Sequence, residues 1–259
     1  MNNEASLVAA RRAFLAVAVL HFALLTGGFF VLAANFGFPD ILRAPAAERF
    51  AAFRAGQHII VPAYYAMALT GLTQIALAVL GHRALTNKDG TLALGALIAG
   101  VLGGAWQAMG FIRWAVTIPH LAAAMADATG ESAHTIALME GMLNAYAGMA
   151  IGEHLGFVGQ GFWTLLFALA ALSTRTLPRT LSVIGVVFCV GFLVASLEQI
   201  GLEAIGQLST PLTAAWFAWI IMAGVSLTRS GAGEAARFRI VSLIAFLVLA
   251  GGLVAATLG

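Results

Sequence analysis

Residues 13–35 read AFLAVAVLHFALLTGGFFVLAAN, an unbroken run without a charged side chain and with one histidine, His21, near its middle. An α-helix rises about 1.5 Å per residue, so a run of this length crosses the roughly 30 Å hydrocarbon core of a bilayer. Arg11 and Arg12 in front of it resemble the start of a secretory signal. A signal's apolar region is only about 7 to 15 residues long, however, and this run is longer. The stretch is read as a membrane-spanning helix, and lipid is then the solvent for the rest of the chain.

Composition agrees with that reading. Of 259 residues, 61% are hydrophobic and only 9% charged, against roughly a quarter charged in soluble domains. Further apolar segments run from His58 to Gly81, Thr91 to Trp114, His134 to Leu172, Leu181 to Ile205, Leu212 to Leu227 and Ile240 to Leu258. The expectation is an all-α polytopic bundle of about seven spans, built as a single integral membrane domain over residues 1–259. Nothing in the chain reads a nucleic acid groove. Cys189 is alone and cannot form an intramolecular disulfide.

Lys and Arg set an expected orientation, because cytoplasmic loops retain them. With the N-terminus inside, Arg11, Arg12, Arg83, Lys88, Arg175, Arg179, Arg229, Arg237 and Arg239 fall in the cytoplasm, leaving Arg43, Arg49, Arg54 and Arg113 outside. This gives an N-in, C-out arrangement in a bacterial inner (plasma) membrane. Two outer connections, residues 45–56 and 119–128, begin at Pro45 and Pro119 and are rich in helix formers. Each is predicted to be a short helix lying on the membrane surface, with Ser132 capping the long fourth helix.

Ionisable groups inside spans are costly unless they face water, a partner or a cofactor, so each is a candidate functional residue. Counting along each helix places His58, Arg113, Glu153, His154 and Glu198 in one layer towards the outer leaflet, with His120 able to fold back onto it. At about 100° per residue, Glu140, Asn144 and His154 share a face of the fourth helix, while Glu153 points elsewhere. Glu140 and His154 lie about 21 Å apart along the axis and cannot hold one ion together. A haem or transition metal at His154 would take its other ligands from His58, His120 or Glu198, and His21 is an alternative axial ligand. No His-Glu-x-x-His, Cys-x-x-Cys-His or nucleophile-turn motif is present.

Neutral polar residues within helices, Gln74, Gln107, Asn144, Gln160 and Gln199, read as interhelical hydrogen-bonding groups. Met139, Met142 and Met149 read as flexible packing rather than soft copper ligands. Gly148, Gly152 and Gly156, and Gly100 with Gly104, read as ridges where helix backbones approach.

Several of these residues carry a resemblance. Arg113-Trp114 with Pro119-His120-Leu121, Asn144-x-Tyr146-x-Gly148, Gly152-Glu153-His154-Leu155-Gly156, Trp163, Leu177-Pro178-Arg179-x-Leu181, Gly185, Glu198 and Gly201 resemble an uncharacterised family of bacterial membrane proteins, DUF4386. The resemblance implies a polytopic fold and supplies no activity or catalytic residue. Three functions follow as expectations. The first is a redox or metal-dependent protein holding haem or metal near the outer surface. The second is a transporter or sensor in which Glu153, His154 and Glu198 take up a proton or small polar ligand, with Arg113, Asn144 and Glu140 alongside. The third is a non-catalytic subunit that packs against a membrane partner or a second copy of itself.

Overall fold

The computed structural model describes residues 2–85 and 90–229. Seven α-helices carry the bundle: α1 (Asn2–Phe36), α2 (Ala46–Ala84), α3 (Thr91–Ala126), α4 (Gly130–Leu143), α5 (Gly156–Ser173), α6 (Arg179–Ser196) and α7 (Ser209–Thr228). Between α4 and α5 the chain stays helical but bonds with π spacing over Asn144–Leu155, so Gly130–Ser173 is one long element. Among the described residues, six helical elements are long and apolar enough to cross a membrane. They correspond to the first six expected spans. The seventh, Ile240 to Leu258, lies outside the described residues, as do Lys88, Arg237 and Arg239.

The two predicted surface helices do not exist as separate elements. Residues 46–56 are the first turns of α2, and Pro119 sits inside α3. Gly56, the last residue of the first of them, lies inside α2, and a Cβ there would stand 3.4 Å from the Asn35 carbonyl oxygen. Pro119 lacks an N–H to donate but does not end α3. With 39 residues, α2 is about 58 Å long, well beyond the roughly 30 Å hydrocarbon core. Ser132 does not cap the fourth helix as its N-cap residue. It lies inside the first turn, accepting from the Thr129 N–H at 3.2 Å and donating to the Thr129 carbonyl at 2.9 Å.

Helix α2 packs along both α1 and α3, α3 also packs on the π segment and α5, α5 packs on α6, and α7 returns to α1. Glycine makes the closest crossings, because lipid offers no hydrophobic drive between helices and backbone approach must supply the packing. Gly71 and Gly104 face each other main chain to main chain. A Cβ on Gly110 would stand 2.6 Å from the Gly152 Cα, and one on Gly159 2.6 Å from the Gly103 Cα. Gly156 meets nothing closer than 3.9 Å and is no part of the ridge.

Two apolar clusters result. At the end carrying the start of α1, Phe14, Trp163, Phe167, Trp216 and Trp219 interlock. At the opposite end Phe36, Phe53, Tyr64 and Trp114 do so, with the Tyr64 and Trp114 rings stacked 4.7 Å apart.

Candidate functional site

Arg113 comes from the middle of α3 and is buried. Its position follows from Gly148, whose missing side chain leaves the space that the guanidinium fills; a Cβ there would stand 2.7 Å from the Arg113 Cζ. Nη1 donates to the Gly110 carbonyl, and Nη2 donates to Asn144 Oδ1 at 2.8 Å. Both acceptors are neutral. Among the described residues Arg113 has no carboxylate within ion-pair distance.

The Glu153 carboxylate accepts a hydrogen bond from Gln199 Nε2, which arrives from the turn Leu197–Ile200 after α6. Glu198, on the same turn, lies against Gly206. Two further polar atoms here are buried and without a hydrogen-bond partner among the described residues, the Tyr64 hydroxyl and Gln199 Oε1. The Tyr64 ring stacks on Trp114, over whose ring the Arg113 guanidinium lies at 5.7 Å.

The π segment changes which way Asn144 and Glu153 face relative to each other. Nine residues make two and a half turns of an α-helix, which is why these two were expected on different faces. With hydrogen bonds from i to i+5, the same nine residues make close to two wider turns, and the side chains realign. Asn144 and His154, which were expected on one face, contact different helices. Asn144 reaches α3, whereas His154 turns to α6, its Nδ1 2.8 Å from the Ser196 carbonyl oxygen. A carbonyl only accepts, so Nδ1 donates in this contact and Nε2 is the ring nitrogen that faces away from Ser196.

Glu140 does not belong to this site. It is buried against Arg49, whose Nε donates to Oε1 at 3.1 Å while Nη2 donates to Oε2. Arg49 Nη1 also holds the carbonyls of Leu42 and Ala44 at 2.9 and 2.8 Å. Sequence reasoning placed Arg49 among outer loop charges and missed the pair, as it missed Tyr64.

The histidines expected to cooperate with His154 are exposed on other helices. His58 is exposed on α2 and lines an open groove with Arg54, Gln57, Val61 and Pro62, and His120 is exposed on α3. Among the described residues no three His, Cys, Asp or Glu side chains come together as a metal-binding group. His21 is buried, with Nδ1 2.7 Å from Thr73 Oγ1 and its ring against Trp216 and Phe217.

Six helical elements long and apolar enough to cross a membrane, among the described residues, mark a multi-pass helical membrane protein, with a buried arginine between them. The chain belongs to the family described as domain of unknown function (DUF4386), whose model matches residues 13–231. Neither a curated protein nor a solved structure matches it.

Proposed function

We propose that this protein binds a proton or a small polar ligand between its spans, in the role of a membrane transporter or sensor, with the site opening to the outer face of a bacterial inner membrane. Arg113 carries the reading. A guanidinium buried in a span is retained at a cost, and one that meets only neutral acceptors is open to a further anionic or hydrogen-bonding group. Asn144 orients it. Glu153, with Gln199 on one oxygen, is the group that would gain or lose a proton, and Glu198 stands on the same turn as Gln199. Tyr64 and Gln199 add a hydroxyl and an amide oxygen with free hydrogen-bonding capacity.

Trp114 lies beside Arg113 and provides the readout. Tryptophan fluorescence of the purified protein in lipid nanodiscs, titrated with pH, should show a transition that Glu153→Gln removes while Glu131→Gln, on the exposed start of α4, leaves it in place. A titration identical in the native protein and in Glu153→Gln would end the reading.

A second reading, a haem or metal ion at His154, has one observation in its favour. The Nδ1 bond to Ser196 fixes the ring with Nε2 available, the arrangement that metal-ligating histidines adopt. His58, His120 and Glu198 would have to be supplemented or replaced by exogenous ligands. Colourless, metal-free protein that remains folded would exclude it.

A further inference from the structure

Near the start of α1, three helices meet at an aromatic layer. A Cβ on Gly81 of α2 would stand 3.2 Å from both Phe14 of α1 and Phe167 of α5, whose rings stack at 5.8 Å. Seven residues of α-helix fall only about 20° short of two turns, so a shift of seven keeps the facing direction and moves about 10 Å along the axis. Moving away from the start of α1, Phe14 becomes His21, Gly81 becomes Gln74 and Phe167 becomes Gln160. The layer above the aromatic one is polar on all three helices.

Its remaining groups are mutually satisfied. His21 Nδ1 meets Thr73 Oγ1, and Thr73 donates to the Thr70 carbonyl at 3.0 Å. Trp216 of α7 closes over the His21 ring and donates to Thr164 Oγ1 at 3.0 Å, and Thr164 donates to the Gln160 carbonyl at 2.8 Å. Gln74 is the exception. Its exposure is 0%, yet neither amide atom has a partner among the described residues, and the Gln160 amide nitrogen is unpartnered too. Exchanging O and N of the Gln74 amide cures nothing, because both atoms are orphaned. A primary amide walled in by protein and lipid bears its full desolvation penalty unless something small meets it.

We infer that this layer is a closed hydration site, in which water is held between the side-chain amides of Gln74 and Gln160 at the centre of the bundle. Water fits the chemistry. It donates to Gln74 Oε1 and accepts from Gln74 Nε2 and Gln160 Nε2, which supplies the two to four polar partners a buried water needs. The layer holds no carboxylate or cationic side chain among the named groups, so no ion is called for. The inference is independent of the Arg113 site, which lies further along the bundle and shares none of these residues.

Two measurements on the full chain in lipid nanodiscs test it. In thermal unfolding, Gln74→Leu and Gln160→Leu should each lower Tm, and the double variant should lower it by clearly less than the sum, because the second loss removes a group already deprived of its bridge. A Gln74→Leu protein with unchanged or raised Tm, or strict additivity, would overturn the inference. The second measurement is a map of the native protein at a resolution that shows water. Density within hydrogen-bond distance of both amides supports the site. A direct amide–amide bond, or apolar atoms alone against Gln74, refutes it. The map also decides the matter should Gln74→Leu fail to fold.

Discussion

Arg49 and Glu140, 91 residues apart in the chain, hold each other through two parallel hydrogen bonds at the end of the bundle away from the start of α1. The same guanidinium ties down the carbonyls of Leu42 and Ala44. One side chain therefore joins the connection after α1, the first turn of α2 and the last turn of α4. Breaking one partner of such a buried pair costs about 3–5 kcal/mol, whereas replacing both with apolar groups of similar size is often close to neutral. Glu140→Leu should lower the unfolding midpoint in nanodiscs sharply, and Arg49→Met with Glu140→Leu should recover most of the loss. A double variant that loses the sum of the two single losses would show that the pair is not coupled.

The contact between Gly110 and Gly152 makes a steric prediction. Either residue changed to Ala places a methyl group against main chain rather than against a yielding side chain. The helices must part, and a loss of about 2 kcal/mol or more is expected, within the range for overpacking. Gly27→Ala serves as the control, since a Cβ there meets nothing within 4 Å. That change should stabilise α1 by up to about 1 kcal/mol through helix propensity.

Gly148→Ala should act on the site rather than on the fold. Its methyl would intrude on the Arg113 guanidinium, which ends a flexible side chain and can move away. The expected outcome is a small change in Tm together with loss of the pH-dependent Trp fluorescence transition. Retention of the full transition would show that the seat of Arg113 on Gly148 is immaterial to it.

Tyr64→Phe separates packing from binding. The ring stack on Trp114 is kept, and a buried hydroxyl without a partner is removed, so stability should hold or rise by up to about 1 kcal/mol. Should the hydroxyl meet a ligand beside Arg113, the same change weakens binding about tenfold, equivalent to one lost hydrogen bond of about 1.4 kcal/mol. A clear fall in Tm would instead mean that the hydroxyl has a structural partner.

The first six spans were legible because a helix in lipid must satisfy its own backbone and show an apolar run. Their ends were less so. Local signals at Pro45, Gly56 and Pro119 read as boundaries, yet α2 and α3 continue through Gly56 and Pro119, since neither residue alone outweighs the packing on both sides. Counting depth placed Arg113, Glu153 and Glu198 at one level, and of the three only Glu153 is tied to the turn that carries Glu198, through Gln199. Counting angle failed, because it assumed α geometry through Asn144–Leu155. Glu140 carried no signal of its partner. Arg49 resembles any interfacial arginine, and only the return of α4 towards the start of α2 reveals the pair.

The π segment has a meaning beyond its local shape. It works as a phase shifter between two rods, changing the rotational setting of everything downstream relative to α4 without altering which residues are present. In an unbroken α-helix the same side chains would leave Asn144 on Arg113 and send Glu153 to another neighbour. The chemistry beside Arg113 is thus written partly in the winding number of one helix, and a single-residue deletion within 144–155 would reassign faces rather than remove a group.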